Sequence, residues 1–153
     1  MAETAYELAK QRLGPCGVHC GKCFAFAGGD ICTLSSQLVD SLGNFEVYAR
    51  RFAELMGEPV FLKYPDFREF LGYLAAAECG GCREEKCKLF KGCKVRSCSE
   101  GKKVDFCFQC GKFPCGNTGF DEHLYKRHVE INNRMREIGV EAYYEEVKDR
   151  PRY

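Results

Sequence analysis

The sequence lacks the features that would assign it to several common functional classes. Its 153 residues carry a formal net charge of only +1, so no global field favours nucleic acid or an anionic membrane surface. No apolar run approaches the length that spans a membrane. The first residues, MAETAYELAKQRLG, contain no basic segment followed by an apolar one, as a signal peptide would. We therefore expect a cytoplasmic protein that does not bind membranes.

Histidine is also scarce, with three in the chain. His128 falls on the apolar seam of a predicted helix, which is typical of a core histidine. His19 lies between Cys16 and Cys20, where it could replace one thiolate in a metal site, although a solvent-facing loop position is the simpler interpretation. No nucleophile and base are recognisable as a pair, so we predict no catalytic residue and favour a binding function over an enzymatic one.

Cysteine, by contrast, is abundant, with twelve in the chain. Thiols stay reduced in the cytoplasm, so this number points to metal rather than to disulfides. The spacing C-x2-C occurs at Cys20/Cys23, Cys79/Cys82 and Cys107/Cys110. Such a turn brings two sulfurs together on one tetrahedral ion, with Zn–S distances of about 2.3 Å. Three such pairs, each with further cysteines nearby, predict metal binding, with zinc as the first candidate.

Grouping the cysteines in chain order predicts three sites and about three zinc ions. The sites are Cys16, Cys20, Cys23 and Cys32; Cys79, Cys82, Cys87 and Cys93; and Cys98, Cys107, Cys110 and Cys115. A second arrangement is equally compatible with the spacing. In it, the pairs at 79/82 and 107/110 each recruit two of the remaining four cysteines between 87 and 115.

The charge around the later cysteines has a simple explanation. Segment 79–115 carries nine Lys or Arg and four Asp or Glu, a surplus of five positive charges. Each zinc ion with four thiolates carries a formal charge of −2, so the surplus nearly balances two such centres. Phenylalanines interleave with the lysines as in surfaces that stack nucleic-acid bases. A nucleic-acid-binding zinc module is therefore an alternative, but we favour charge balance.

Periodicity predicts a mainly α-helical fold with an irregular, metal-stapled, cysteine-rich region. Helices are expected at 3–13, 44–56, 66–77 and 121–148, the last a single helix or a pair broken at Gly139. The helices at 44–56 and 66–77 and the C-terminal helix should supply the apolar core. Alternating Val104, Phe106 and Phe108 indicate a short β-hairpin at 103–110. The polar tail that begins at Lys148 should be frayed.

We expect one domain over residues 1–153. Within it lie a first cysteine cluster in a Gly-rich loop without regular structure, a cysteine-free helical part, an eight-cysteine part and the C-terminal helix or helix pair. Their limits are 14–33, 34–77, 79–116 and 121–148.

Four motifs in order give the chain a resemblance to a known family. CGVHCGKC, CGGCR, GCKVRSC and FCFQCGKFPC, within residues 14–116, resemble a small cysteine-rich bacterial and archaeal family of unknown function. The resemblance implies a metal-binding domain, presumed to hold zinc, with no established activity. Its pattern includes neither Cys32 nor, because spacing varies there, Cys87. The cysteines it implies as ligands are Cys16, Cys20, Cys23, Cys79, Cys82, Cys93, Cys98, Cys107, Cys110 and Cys115.

Iron–sulfur ligation is the main alternative to zinc. Cysteine thiolates also hold these clusters, and Pro114 precedes Cys115 as proline neighbours a ligand in ferredoxins. The compact ferredoxin run C-x2-C-x2-C is missing, however. The spacing C-x3-C-x2-C at 16–23 matches radical enzymes, but the chain has no repeated β–α units. We therefore predict a structural zinc protein that acts as an interaction module with an unidentified protein partner; the alternative is an Fe–S redox or electron-transfer protein.

Overall fold

The computed structural model describes residues 3–85 and 87–153, and the mainly helical fold class is confirmed. In these ranges lie seven α-helices: α1 (Ala5–Arg12), α2 (Asp30–Leu42), α3 (Phe45–Met56), α4 (Tyr64–Ala75), α5 (Val95–Lys102), α6 (Glu122–Ile138) and α7 (Val140–Val147). Short 3-10 turns occupy Cys20–Lys22, Pro59–Lys63 and Cys107–Gln109. Within the same ranges, no helix combines the length and the apolar character that a membrane crossing needs.

The main hydrophobic core joins the two ends of the chain. Helix α1 packs on α7, and α7 folds back on α6. The expected break between the last two helices is confirmed at Gly139, whose φ of 91° is one that glycine adopts without strain. The first cysteine cluster starts three residues after Leu13, so it begins at the edge of this core. The buried core residues are Ala9, Leu13, Phe106, Met135, Val140 and Tyr143.

Helices α3 and α4 do not contribute to this core, and that part of the prediction is wrong. Together with α2, which the sequence did not predict, they form a separate small unit, residues 30–75, called here the α2–α4 unit. Helix α2 packs along α4, and α3 packs on the turn at 59–63. Aromatic rings hold the second contact, with Phe52 and Phe61 centroids 5.6 Å apart, and Phe45 also lies against Tyr64 at the start of α4, with centroids 5.1 Å apart.

Three short helices cannot cover all the apolar side chains that they carry. The large apolar residues of the unit that remain 42–71% exposed come from all three helices and from the turn between α3 and α4. They are Leu34, Leu38, Val47, Tyr48, Leu55, Met56, Val60, Leu62, Phe67, Phe70 and Tyr73. Monomeric soluble proteins rarely leave so much apolar surface free in one region.

Both ends of the α2–α4 unit meet at one point. Phe26 and Cys79 form an isolated parallel β-bridge. Its hydrogen bonds run from the Ala27 amide to the Cys79 carbonyl (3.0 Å) and from the Cys79 amide to the Ala25 carbonyl (2.9 Å). The bridge therefore places Cys79 beside the first cysteine cluster, although more than fifty residues separate Cys23 from Cys79.

The hairpin predicted at 103–110 does not form. Helix α5 occupies the residues before it, and Lys103 ends that helix with a left-handed φ of 55°. The amides of Asp105 and Phe106 then donate to the side-chain oxygen of Gln109, at 2.9 and 3.0 Å, instead of to a partner strand. The Cys107–Gln109 turn follows. Because Gln109 takes up these donors locally, no strand partner is needed.

A buried amide ties α6 to two cysteine segments. The side chain of Asn132 is fully buried. Its Oδ1 accepts from the Phe108 amide at 3.0 Å, and its Nδ2 donates to the Cys16 carbonyl at 3.0 Å. Nδ2 also donates to the His128 carbonyl at 2.9 Å, within α6. One side chain thus fixes residues 16 and 108 against the same helix.

Replacing Asn132 with leucine should destabilise the protein by about 2–4 kcal/mol. The two side chains are close in size, but leucine leaves the partly buried Phe108 amide and Cys16 carbonyl without their partner, at about 1–3 kcal/mol each. Denaturant unfolding of Asn132→Leu measures the loss. Asn133→Leu is the matched control, because Asn133 is exposed and surface changes usually stay within about 0.5 kcal/mol. Equal stability of the two variants would contradict this role.

Candidate metal centre

Seven cysteines from two parts of the sequence line one cavity of about 850 Å³. Three come from the first cluster and four from the segment after the α2–α4 unit. The cavity thus unites the first and second groups in the chain-order arrangement, apart from Cys32. The seven, called here the cavity cysteines, are Cys16, Cys20, Cys23, Cys79, Cys82, Cys87 and Cys93.

Cys82 is the sulfur at which the two parts meet. Interaction with the thiols of Cys20 and Cys87, followed by burial, raises the pKa of Cys82. The same contacts with Cys82 lower the pKa of Cys20 to about 6 and the pKa of Cys87 to about 5. Cys82 therefore holds its proton more tightly than Cys20 and Cys87, which ionise more readily. Thiolates are the form of cysteine that binds metal.

Three other cavity cysteines also have raised pKa values. Burial raises the pKa of Cys79, and the charges of Glu85, Cys23 and Cys20 add to the effect. Burial and then the charge of Cys87 raise the pKa of Cys93. Burial likewise raises the pKa of Cys16 to about 11, with smaller contributions from Cys20 and Cys93.

Backbone amides point at several of these sulfurs. The Gly81 amide donates to Cys79 Sγ and the Phe90 amide donates to Cys87 Sγ, both at 3.4 Å. The backbone of Val95 and Arg96, at the start of α5, lowers the pKa of Cys93 and so offsets part of the effect of burial. Hydrogen bonds to sulfur stabilise thiolates and are typical of metal–thiolate sites.

The remaining four cysteines of the eight-cysteine part lie outside the cavity wall. The pKa of Cys107 is raised to about 12, first by burial and then by the charges of Cys16, Cys98, Cys115 and Cys110 nearby. The turn at 107–110 is closed by the bond from the Cys110 amide to the Cys107 carbonyl, 3.0 Å. They form the third group of the chain-order arrangement and are called here the Cys107 group: Cys98, Cys107, Cys110 and Cys115.

Cys32 and His19 are not brought to the cavity wall. Cys32 lies on α2, not in an irregular loop as predicted, and its buried thiol donates to the Ala75 carbonyl of α4 at 3.4 Å. The His19 ring packs against Tyr144 of α7, with centroids 5.5 Å apart. Its Nδ1 is buried and has no hydrogen-bond partner among the described residues. Burial also lowers the pKa of His19.

His128 has the buried position that its place on the apolar seam predicted. It is 4% exposed, and its ring lies 5.6 Å from that of Phe120 and 6.0 Å from that of Phe113, centroid to centroid. Burial lowers its pKa, so the ring is neutral at physiological pH. It forms part of the cavity wall at the α6 side.

The C-terminal residues complete the wall, which the sequence did not indicate. The tail predicted to be frayed instead packs on the first cluster, where the Tyr153 hydroxyl lies 3.9 Å from Cys23 Sγ. Its ring also contacts Phe24, with centroids 6.4 Å apart. Arg152 and Arg127 join four basic residues from 88–96 on the wall, whereas Glu100 supplies the one carboxylate among the described lining residues. No pattern within the tail itself pointed to this contact.

Arg83 fixes the backbone next to Cys82. Its Nε donates to the carbonyls of Lys10 and Leu13 at the end of α1, at 2.6 and 2.9 Å, and its Nη2 donates to the Asp105 carbonyl at 3.0 Å. Its guanidinium lies 4.8 Å from the centre of the Phe106 ring. Burial lowers its pKa, but arginine still stays charged. Arg83 thus connects the second cysteine segment to the main core.

The donors at this site are almost all sulfur, which suits soft metals such as zinc or the iron of Fe–S clusters rather than calcium or magnesium. Within residues 3–85 and 87–153, no three His, Cys, Asp or Glu side chains are placed to hold one ion together as they stand. Coordination therefore requires the thiols to rotate or their loops to shift towards one another.

These features define a helical, cysteine-rich domain whose thiols converge from separate parts of the chain. The chain belongs to the family described as a protein of unknown function, DUF3795, whose model matches residues 12–119. The resemblance noted from the four motifs is confirmed at this level. The match covers all twelve cysteines and ends before α6. Comparison with curated proteins and with solved structures found no match.

Substituting Gly17, between Cys16 and Val18, should damage both stability and the site. Its φ of 87° is strained for other residues, and a Cβ there would overlap Ile131 and Met135 of α6. Gly17→Ala should therefore cost about 2–4 kcal/mol, from strain and overpacking together. Thermal and denaturant unfolding measure the cost. Gly101→Ala is the control, because a Cβ at Gly101 meets nothing within 4 Å; a matching loss there would show that the packing at Gly17 is not the cause.

Proposed function

We propose that this chain is a structural zinc-binding protein that acts as an interaction module rather than as an enzyme. The observation that carries the proposal is the convergence of eleven of its twelve cysteines. Seven line one cavity, and Cys98, Cys110 and Cys115 lie near Cys107. Thiols kept for packing alone would have no reason to converge from three segments of the chain.

Zinc fits this donor set best. Four thiolates around one zinc ion leave no open position for water or substrate, as in structural sites. The basic residues of the wall offset the negative charge of such centres, which is the charge-balance interpretation of the sequence. They therefore need no nucleic acid to explain them, and the nucleic-acid alternative has no further support.

Metal would supply the folding energy that the cysteine-rich part lacks. Of the large side chains between 79 and 116, Val95 and Phe106 are the apolar ones that are buried. The energy of binding a structural zinc ion becomes folding energy, because no preformed site exists in the unfolded chain. The thiol movements that coordination requires would therefore accompany the ordering of this part.

An Fe–S cluster is the second candidate, and two observations favour it. The cavity is much larger than one zinc ion needs, and backbone amides donate to Cys79 and Cys87, as they do around cluster sulfurs. A protein that holds such a cluster would act in redox or electron-transfer reactions. Zinc proteins are colourless, whereas Fe–S proteins are brown, so colour is the first discriminating observation.

Elemental analysis of protein purified without oxygen should find close to three zinc ions per chain. The count follows from two ions in the cavity and one in the Cys107 group. Stoichiometric iron with acid-labile sulfide would overturn zinc in favour of the cluster. Absence of any bound metal after reconstitution with zinc would overturn the proposed function altogether.

Two matched cysteine variants extend this test. Cys115→Ser should lose about one zinc ion per chain and become less soluble, because three thiolates around an open ion give up much of its folding energy. Cys32→Ser should keep the full metal content, because its thiol contacts the Ala75 carbonyl away from the cavity. Unchanged metal in Cys115→Ser would refute a site at the Cys107 group. Loss of metal from Cys32→Ser would refute the assignment of Cys32 to packing.

A further inference from the structure

We propose that the cavity also binds a small organic anion with an aromatic or other apolar body, such as a carboxylate or a phosphate ester. The inference goes beyond the proposed function, and it holds whichever metal the sulfurs bind. The ligand would occupy one end of the cavity, called here the basic end. Its wall includes Phe90, Lys91, Lys94, Phe120, Arg127 and His128.

The volume of the cavity exceeds what metal ions can fill. A zinc ion with Zn–S distances of about 2.3 Å takes up on the order of 50 Å³ inside its four sulfurs. The cavity measures about 850 Å³, which falls in the range of roughly 300–1,000 Å³ for sites that bind small molecules. Two ions would therefore leave most of the volume free.

The basic end is one continuous region of the wall. The ring centroids of Phe90 and Phe120 lie 6.1 Å apart, and those of Phe120 and His128 lie 5.6 Å apart. The Lys94 amide donates to the Thr118 carbonyl at 2.9 Å. This bond joins the segment that carries both lysines to the segment that carries Phe120. The lysines therefore lie beside a surface of aromatic rings, which suits a ligand with a planar apolar body.

Glycine allows these two segments to approach each other. Gly119 has a φ of 74°, and a Cβ there would overlap the Gly92 carbonyl. Gly92 lines the cavity together with Lys91. The close contact between the two backbones thus fixes where the lysine segment meets the rings.

The cations of the basic end are available for a ligand. Elsewhere on the wall, Arg96 pairs with Glu100 at 2.8 Å and Lys88 pairs with Glu85 at 3.7 Å. Within residues 3–85 and 87–153, the two lysines and the arginine of the basic end form no such pair with a carboxylate. Both lysines are exposed, so a ligand can reach them from solvent.

Arg127 keeps hydrogen-bond donors for an acid group. Its Nη2 donates to the Arg152 carbonyl at 2.8 Å, and arginine carries five N–H donors in all. Arginine and lysine together are the side chains that hold carboxylates and phosphates in proteins. We therefore expect the acid group of the ligand to lie between Arg127 and the two lysines, with its apolar body against the rings.

Two arginines outside the basic end already lie beside the cysteine segments. Arg83 follows Cys82 in the chain and is anchored by the carbonyls of Lys10 and Leu13. Arg152 lies against the first cluster, where its Nη1 donates to the His19 carbonyl at 3.5 Å. These arginines can offset thiolate charge, which leaves the cations of the basic end for the ligand.

Equilibrium dialysis of the zinc-loaded protein against three naphthalene probes tests the site. 2-Naphthoate and 2-naphthyl phosphate carry an acid group, whereas 2-naphthol has the same rings and is neutral at pH 7. The chain contains no tryptophan, so naphthalene fluorescence reports the probe directly. One anionic probe should bind per chain, at least about tenfold more tightly than 2-naphthol, because charge-assisted hydrogen bonds hold the acid group. The tighter of the two acids identifies carboxylate or phosphate as the preferred group.

A pair of matched variants locates the acid group. Lys91→Gln combined with Lys94→Gln should weaken binding of the anionic probes about tenfold and leave 2-naphthol unchanged. Lys102→Gln combined with Lys126→Gln is the control, because it removes the same charge from exposed lysines that do not line the cavity. Equal weakening in both double variants would show that net charge alone attracts the probes and would overturn the site.

A second pair tests the rings. Phe120→Leu should weaken binding of all three probes by about two- to tenfold, because it removes one aromatic surface and keeps an apolar side chain. Phe67→Leu, on α4 and 45% exposed, is the control and should bind as the parent does. Unchanged binding by Phe120→Leu would overturn the placement of the apolar body.

The probe comparison also separates this inference from the proposed function. Zinc-loaded protein that binds all three probes equally, without saturation or not at all would overturn the ligand site and leave the zinc proposal standing. Protein that contains iron and sulfide and still binds one anionic probe would overturn zinc and leave the ligand site standing. If a variant fails to fold, the tenfold difference between charged and neutral probes on the unsubstituted protein decides the question.

Discussion

The cysteine segments depend on the buried amide of Asn132, because they carry little apolar surface of their own. Its bonds to the Cys16 carbonyl and the Phe108 amide anchor two loops to α6. Arg83 makes the matching connection for the third segment, between Cys82 and the end of α1. A buried polar group with all its partners in place defines one geometry, since any shift leaves a partner unsatisfied. Hydrogen bonds from buried polar side chains therefore fix the positions of the cysteine segments, which carry too little apolar surface to be held by hydrophobic packing.

The cavity follows from this arrangement. Loops anchored at residues 16, 79 and 83 present their sulfurs to one volume, and α6 and the C-terminal residues close it with His128, Arg127 and Tyr153. The wall combines two thiols with lowered pKa values, Cys20 and Cys87, with positive charge, a combination that favours thiolate ligands. The hydrogen bonds already hold these loops together, and the proposed ions would stabilise the same arrangement further. The largest gain in folding free energy would come between residues 79 and 116, where the fewest other contacts hold the chain.

Local patterns predicted α1, α3, α4 and the break at Gly139, because periodicity and glycine conformation act over a few residues. Helix α2 was missed although Ile31, Leu34, Leu38 and Leu42 have helical spacing, since its first turn fell in the segment 14–33, which its glycines assigned to a loop. Helix α5 carries Val95 as its buried apolar residue and gave almost no signal. The C-x2-C pairs were evident, but spacing cannot reveal which pairs face each other, since the Phe26–Cys79 bridge decides that. Asn132 and Arg83 look like ordinary surface residues in the sequence.

That bridge also brings the two ends of the α2–α4 unit together. The chain leaves the cysteine segments at Ala27 and returns at Cys79, where two hydrogen bonds join the two crossings. A segment whose ends lie close together resembles an insertion, which a fold tolerates well. This unit also touches the first cluster outside the bridge, through the Lys22–Asp30 ion pair and the Phe24–Tyr73 ring contact, so an exchanged segment would have to keep Asp30 and Tyr73 to leave the cavity wall undisturbed.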